Sequence, residues 1–228
     1  MNLAVIVPVY KHRCYLPDTI QSIKKQMNVL NYIFIMNDDP GCDLKEYGSM
    51  KDIIVMNDGL NKGQSARFNE AIKLAKTNHM EWIAFCGADD VWMDWRYERF
   101  IETRKDDVDI LYTDAVQLDA GGMRSYIKSH DFDYNLLIEK NYIVASTVFV
   151  RTEIAIQCHF DEDVYYGEDW LWYLKLAQVT RKFHYINLPT VYYRNYTSQI
   201  AQKINILEWR KNRYKIHNKI KELYSGHI

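Results

Sequence analysis

Leu3-Ala-Val-Ile-Val-Pro-Val9 is a continuous, largely β-branched apolar run, and Tyr32-Ile-Phe-Ile-Met36 and Ile53-Ile-Val55 repeat its texture further along the chain. Strands that are apolar throughout, instead of alternating with polar residues, are those covered on both faces, as in a parallel sheet wrapped by helices. The intervals carry the helix signals. After the first run, Pro17 suits a first helical turn, and Leu16, Ile20 and Ile23 recur at helical spacing. After the third, Phe68, Ala71, Ile72 and Ala75 fall at i, i+3, i+4 and i+7, which leaves Arg67, Glu70 and Lys73 on the opposite side. A fourth strand is read over Trp82 to Phe85. This alternation predicts an α/β fold with an open, mostly parallel sheet flanked by helices, and places any ligand site at the carboxyl ends of the strands.

The loops at those ends are polar: Asn37-Asp-Asp-Pro-Gly41, then Asn57-Asp-Gly-Leu-Asn-Lys-Gly63, then Gly87-Ala-Asp-Asp90. Two adjacent carboxylates at the end of a buried strand suit a divalent cation, and a cation held there can neutralise the phosphates of a nucleotide ligand. The same residues suit the N-cap of a helix carrying Trp95, Phe100 and Ile101, and these residues alone leave both readings open.

Past Asp114 the texture changes. Ile110 to Thr113 and Ala115 to Leu118 read as two short strands, followed by an Asp119-Ala-Gly-Gly122 hairpin turn. Residues 115–165 otherwise show only strand and turn texture. From Gln199 to Tyr224 the chain reads as one long amphipathic, basic helix. Its apolar series is Ile200, Ile204, Leu207, Ile216, Ile220 and Leu223, interleaved with Lys203, Arg210, Lys211, Arg213, Lys215, Lys219 and Lys221. The favoured expectation is that it packs its apolar side on the domain and leaves its lysines in water; contact with a membrane surface, a second copy or nucleic acid is the alternative.

At 228 residues, 48% hydrophobic, the chain can bury a substantial core. A net charge of −1 supplies no overall field to draw nucleic acid or an anionic membrane. Cys14, Cys42, Cys86 and Cys158 form no C-x-x-C pair, which argues against a zinc knuckle or a disulfide framework and fits a reducing, cytoplasmic setting. No apolar stretch approaches the roughly 20 residues that span a bilayer, so a soluble or membrane-peripheral protein is expected.

Together these residues resemble the inverting glycosyltransferases of family two, which have the GT-A fold. The likeness runs over residues 3 to 198, in the family's order. Val5-Ile-Val-Pro-Val-Tyr10 resembles the opening strand and turn, and Ile35-Met-Asn-Asp-Asp39 the acidic turn that reads the base. Asn61-Lys-Gly63 with Arg67 and Asn69 resembles the N-x-G…R-x-N segment, Phe85 to Asp90 the D-x-D region, and Gly167-Glu-Asp-Trp170 the E-D segment. Tyr193-Arg194…Ser198 resembles the distal clamp.

The resemblance implies a GT-A domain over 1–198, with a nucleotide-sugar half at 1–114, an acceptor half at 115–198, and a C-terminal helix over 199–228. It implies a metal-dependent, inverting, non-processive transferase that moves one sugar from a nucleotide diphosphate, UDP above all, to an acceptor hydroxyl. Asp38 would accept the uracil N3–H, with Pro8, Tyr10, Asn61, Gly63 and Ala88 around the donor and Arg67 and Arg194 on its phosphates. Asp89 would ligate Mn²⁺ or Mg²⁺, with Asp90 a second ligand. Asp169 would take the acceptor proton, with Glu168 supporting it. Two departures stand out: Gly87 replaces the first acid of D-x-D, and Tyr196 stands where relatives often carry a histidine. The Gln-x-x-Arg-Trp signature of chain-polymerising members is absent.

The acceptor class, whether glycan, lipid-linked or nucleic acid, is open, and the C-terminal helix is the candidate for peripheral membrane or homodimer contact. Competing readings are a non-catalytic nucleotide-sugar or glycan-binding module whose metal site has decayed at Gly87, a transferase acting on modified nucleic acid, and a nucleotidyltransferase. The last is disfavoured because Tyr10-Lys-His-Arg-Cys14 lacks the glycines of a phosphate loop. Trp170 and Trp172 are read as core aromatics, and His184 as a sheet residue.

Overall fold

The computed structural model describes residues 2–26, 31–119, 121–122, 124–195 and 206–225. The first half alternates as its apolar runs require: β1 (Leu3–Val9), α1 (Leu16–Lys24), β2 (Asn31–Asn37), α2 (Lys45–Gly48), β3 (Ile53–Met56), α3 (Gln64–Thr77) and β4 (Trp82–Phe85). These four strands are mutually parallel, in the order β3-β2-β1-β4. Successive residues of β1 feed opposite faces of the sheet. Ala4 and Ile6 pack with Phe68 and Ala71 of α3, whereas Leu3, Val5 and Val7 pack with Leu16, Ile20 and Ile23 of α1. That two-sided burial is why the run shows no polar alternation.

The second half adds β5 (Val91–Trp92), α4 (Arg96–Thr103), β6 (Ile110–Asp119), β7 (Arg124–Ile127), α5 (Tyr134–Glu139), β8 (Phe149–Arg151), α6 (Thr152–Ala155), α7 (Glu168–Val179), β9 (Phe183–Asn195) and α8 (Ile206–Ser225). The sheet continues β4-β8-β6-β9-β5, with β7 paired to β6. β8 lies antiparallel to both β4 and β6, and β6 runs parallel to β9. The result is the expected α/β architecture of mostly parallel strands flanked by helices, with a long C-terminal helix.

Two elements differ from what the sequence suggests. The two short strands read at Ile110–Thr113 and Ala115–Leu118 are one strand, β6, whose register with β9 slips on either side of Asp114. The Asp114 carboxylate is fully buried and satisfied by three donors: Ser129 N at 2.7 Å, Tyr185 Oη at 2.6 Å and Tyr126 Oη at 2.5 Å. A buried acid can interrupt an apolar strand only when its lone pairs are met in this way.

The second concerns α8. Ile216 and Ile220 are buried in the same core cluster as Leu171 and Trp172 of α7, as the apolar series predicts. Its lysines, however, are not simply solvated: Lys215 and Lys219 pair with Asp163, and Lys219 also with Asp161. Residues 199–205, the first part of the expected helix, lie outside the described residues.

Candidate active site

A cleft of about 750 Å³ opens at the carboxyl ends of β1, β2 and β4. Pro8, Tyr10, Asp38, Asn61 and Gly63 line it on the β1–β3 side, with Ala88, Asp89 and Asp90 after β4 and Glu168 and Asp169 beside the start of α3. Lys128, His130, Tyr142 and Tyr165 also line it, so the cleft spans both halves of the chain.

On the β1–β3 side Asp38 is almost fully buried where β2 turns into its loop. Its carboxylate accepts from Lys62 N at 2.7 Å and Gly63 N at 3.0 Å, and from Arg67 Nε at 3.1 Å. Asn61 Nδ2 donates to the Asp38 carbonyl at 3.0 Å. Gly63 takes a positive φ of 88°, a conformation glycine adopts without steric cost, and so turns its N–H onto Asp38. The Asx turn before Pro40-Gly41 is made by Asp39, whose Oδ1 accepts from Gly41 N at 3.2 Å, and not by Asp38, which lines the cleft.

Arg67 departs from expectation. Its guanidinium is buried and does not line the cleft. It donates to Asp38, to Asp58 at 2.7 Å and 3.2 Å, to Glu70 at 2.8 Å and to the Leu60 carbonyl at 2.7 Å. Burial works against its charge, but the surrounding carboxylates outweigh that and raise its pKa, while Arg67 and Lys62 hold Asp58 well below the usual carboxylate range. Arg67 therefore fixes the loop that carries Asp38 and is not placed to meet a phosphate.

After β4, Asp89 and Asp90 do not cap a helix: α4 begins at Arg96, with β5 between. The chain instead turns at Gly87, with Asp90 N donating to the Gly87 carbonyl at 3.0 Å. A Cβ on residue 87 would lie 2.8 Å from Asp90 Oδ2 and 3.0 Å from Asp89 Oδ1. The missing side chain is thus what lets both carboxylates converge. Asp90 accepts from Arg194 N at 3.0 Å and from Ser146 Oγ, which itself accepts from Gly87 N at 2.9 Å. Burial, followed by the neighbouring Asp89 charge, pushes the Asp90 carboxyl up to about 7. His12 Nδ1 stands 3.6 Å from Asp89 Oδ2.

Two adjacent carboxylates could offer oxygen ligands to a divalent cation. No cluster of three or more His, Cys, Asp or Glu occurs among the described residues, so such an ion would need ligand phosphate oxygens and water to complete its shell.

Glu168 and Asp169 open α7, where negative charge suits the helix dipole. Asp169 Oδ1 accepts from Trp170 N at 2.7 Å and Oδ2 from Asn141 Nδ2 at 3.2 Å, while Glu168 Oε1 accepts from Gln64 Nε2 at 2.9 Å. Desolvation pushes Asp169 up to about 6. Desolvation and the adjacent Asp169 push Glu168 up to about 8. A helix start and a cleft-facing carboxylate are here the same residues. Tyr193 lies near both acidic pairs, and its hydroxyl is pushed above its ordinary pKa by burial and by the charges of Asp90, Asp89 and Asp169.

The Arg194 guanidinium pairs with Asp18 at 3.3 Å over the ring of Tyr15 and does not line the cleft; its backbone N–H serves the site by holding Asp90. Tyr196 and Ser198 lie outside the described residues. Trp172 is core, stacked on Phe160, and Trp170 is partly buried against the same cluster. His184 sits exposed on β9 and does not line the cleft. Sequence reasoning missed Ser146, Asn141 and Gln64, polar residues whose partners lie 28 to 104 positions away. Nothing local in the chain marks them.

Comparison with solved structures returns this fold. S. aureus TarS 1–349 superposes with a TM-score of 0.75 at 16% identity, covering 98% of this chain and 65% of that one. The same protein in complex with UDP-GlcNAc gives 0.75 at 16%, covering 96% and 66%. Mannosyltransferase PcManGT from Pyrobaculum calidifontis, in complex with GDP-Man and Mn²⁺, gives 0.62 at 14%, covering 96% and 62%. The chain therefore spans about two thirds of the length of these neighbours. No curated protein sequence matches it. A family profile matches residues 4–157, more than half of the chain and including the loops after β1, β2, β3 and β4, and on that match the chain belongs to glycosyl transferase family 2.

Proposed function

We propose that the protein transfers one sugar from a nucleotide diphosphate, UDP in the first instance, to an acceptor hydroxyl with inversion at the anomeric carbon. The observation that carries this reading is that a single cleft joins Asp38, the paired Asp89 and Asp90, and the Glu168-Asp169 pair. Neighbours of the same fold were solved with UDP, UDP-GlcNAc and GDP-Man.

In this reading the Asp38 end holds the base, with a carboxylate oxygen able to accept the uracil N3–H. Asp89 and Asp90 would hold Mn²⁺ or Mg²⁺, which, when bound, neutralises charge on the leaving diphosphate. Asp169 abstracts the acceptor proton: raised to about 6, it is ionised at neutral pH yet more basic than an ordinary aspartate. Asn141 and the Trp170 N–H orient it. Glu168, raised further, is held against Gln64 and shapes the acceptor side. A glycine at position 87 fits a rearranged acidic pair better than a decayed site, because both carboxylates face the space beside it.

The test is thermal stability with UDP, CDP and GDP, each with and without Mn²⁺, for the wild type and Asp89→Ala. A ligand at 100 times its Kd stabilises by about 2.7 kcal/mol. A shift specific to UDP, dependent on metal and lost in the variant is expected. No shift with any nucleotide would favour the non-catalytic module.

A further inference from the structure

The segment that leads into Glu168 and Asp169, residues 158–167, is held between two helices that are remote in sequence. On the cleft side, α3 grips it. Asn69 Nδ2 donates to the Phe160 carbonyl at 3.0 Å and its Oδ1 accepts from Phe160 N at 2.8 Å, while Ser65 Oγ reaches the Val164 carbonyl at 3.4 Å. On the other side it meets α8. Lys215 Nζ donates to the Asp163 carbonyl at 2.6 Å and pairs with its carboxylate at 2.6 Å, and Lys219 Nζ bridges Asp161 at 3.0 Å and Asp163 at 2.9 Å. Asn212 Nδ2 donates to the Tyr166 carbonyl.

An apolar contact falls at Gly167, the residue immediately before the acidic pair. Its φ is +74°, and a Cβ there would lie 2.8 Å from Ile216 Cδ1. The glycine therefore supplies both a left-handed turn and the space that Ile216 fills. Ile216 is itself only 3% exposed. Further along the helix, His217 stands edge-on to Trp170, with ring centroids 6.2 Å apart.

We infer that α8 is a positioning element of the active site, with Lys215, Ile216 and Lys219 bracing residues 161–167 so that Glu168 and Asp169 face the cleft. The inference rests on the reading of Asp169 as the base. It gives the basic character of this helix a specific use: two of its lysines complete an ion-pair network on the catalytic loop, in which Asp163 is held down to about 2 by Lys215 and Lys219. A displacement of the base by about 1 Å is enough to cost on the order of 100-fold in rate. Salt links of this exposure contribute little to global stability. Rate is therefore expected to respond more strongly than melting temperature.

The test compares the full-length wild type, Lys215→Gln/Lys219→Gln and Lys215→Arg/Lys219→Arg. The readouts are amide hydrogen exchange over 158–170, UDP binding, and UDP release from UDP-GlcNAc. In the Gln pair, exchange over 158–170 is expected to rise about 10-fold while the amides of β1 to β4 are unchanged. UDP release should slow by about 10-fold at unchanged UDP affinity, and the Arg pair should restore both. Loop exchange that is unchanged, or faster only in step with the whole chain, overturns the inference. An Asp169→Asn variant that releases UDP at the wild-type rate would instead remove the base assignment and leave the exchange result standing.

Discussion

Arg67 Nε donates to Asp38 Oδ1 at 3.1 Å from a guanidinium that is only 1% exposed, so this cleft-lining carboxylate is held by a buried cation that does not itself line the cleft. The same guanidinium ties Asp58, Glu70 and the Leu60 carbonyl, and thereby the whole loop between β3 and α3.

Replacing Arg67 with Met should therefore weaken both fold and donor binding. Removing one partner of a buried pair typically costs about 3–5 kcal/mol, because the charge left behind, here that of Asp38, stays buried. Chemical denaturation should show a loss of that order, and UDP titration a weaker Kd. Unchanged UDP affinity in a destabilised variant would show that Asp38 does not depend on this contact.

Gly87→Ala should damage the acidic pair. The added Cβ meets Asp90 Oδ2 at 2.8 Å and Asp89 Oδ1 at 3.0 Å, so one or both carboxylates must move. Supporting contacts of this kind are worth about 10- to 100-fold in metal affinity. Mn²⁺-dependent UDP binding, measured calorimetrically, should weaken within that range, while binding without metal changes little.

The lesson for reading such a chain lies in where partners are found. The first half of the chain was legible because its strands are doubly buried and its polar loops are local to the strand ends: Asp38, Asn61, Gly63, Asp89 and Asp90 all line one cleft as their positions suggest. Arg67 shares a helix turn with Glu70 and so reads as a surface residue. Its burial depends on the loop folding back over it and on Asp38, 29 positions away. β6 read as two strands because Asp114 is polar, and the tyrosines that satisfy it lie on other strands. β8 is three residues long and gains its place only by pairing with β4 and β6.

Turnover should rise with pH through about 6, as Asp169 loses its proton. The Asn141 hydrogen bond favours the charged form and so lowers that pKa against the larger effect of burial. Asn141→Ala should move the acid limb of the pH–rate profile upward, with the plateau rate also reduced. A limb that stays in place would detach Asn141 from the base.

The same shift has a stability consequence. A carboxyl whose folded pKa lies above its unfolded value binds its proton more tightly in the folded state. Its contribution is then full below the ordinary carboxylate range, near pH 4, and is lost as pH rises through about 6. Asp169→Asn removes that loss, so at pH 7 to 8 the variant should melt at or above the wild-type temperature despite being inactive. The trade of stability for activity is expected where a charge is held in a desolvated site. A clear fall in melting temperature would contradict it.

Whether Asp169 acts as the base is tested by UDP release from UDP-GlcNAc and related UDP-sugars by the wild type and Asp169→Asn, with UDP affinity measured in parallel. The wild type should release UDP from at least one of them, and Asp169→Asn should bind UDP as tightly yet release it at least about 100-fold more slowly, as loss of a general base requires. Equal rates in the two proteins, or no release and no UDP binding by either, would contradict it.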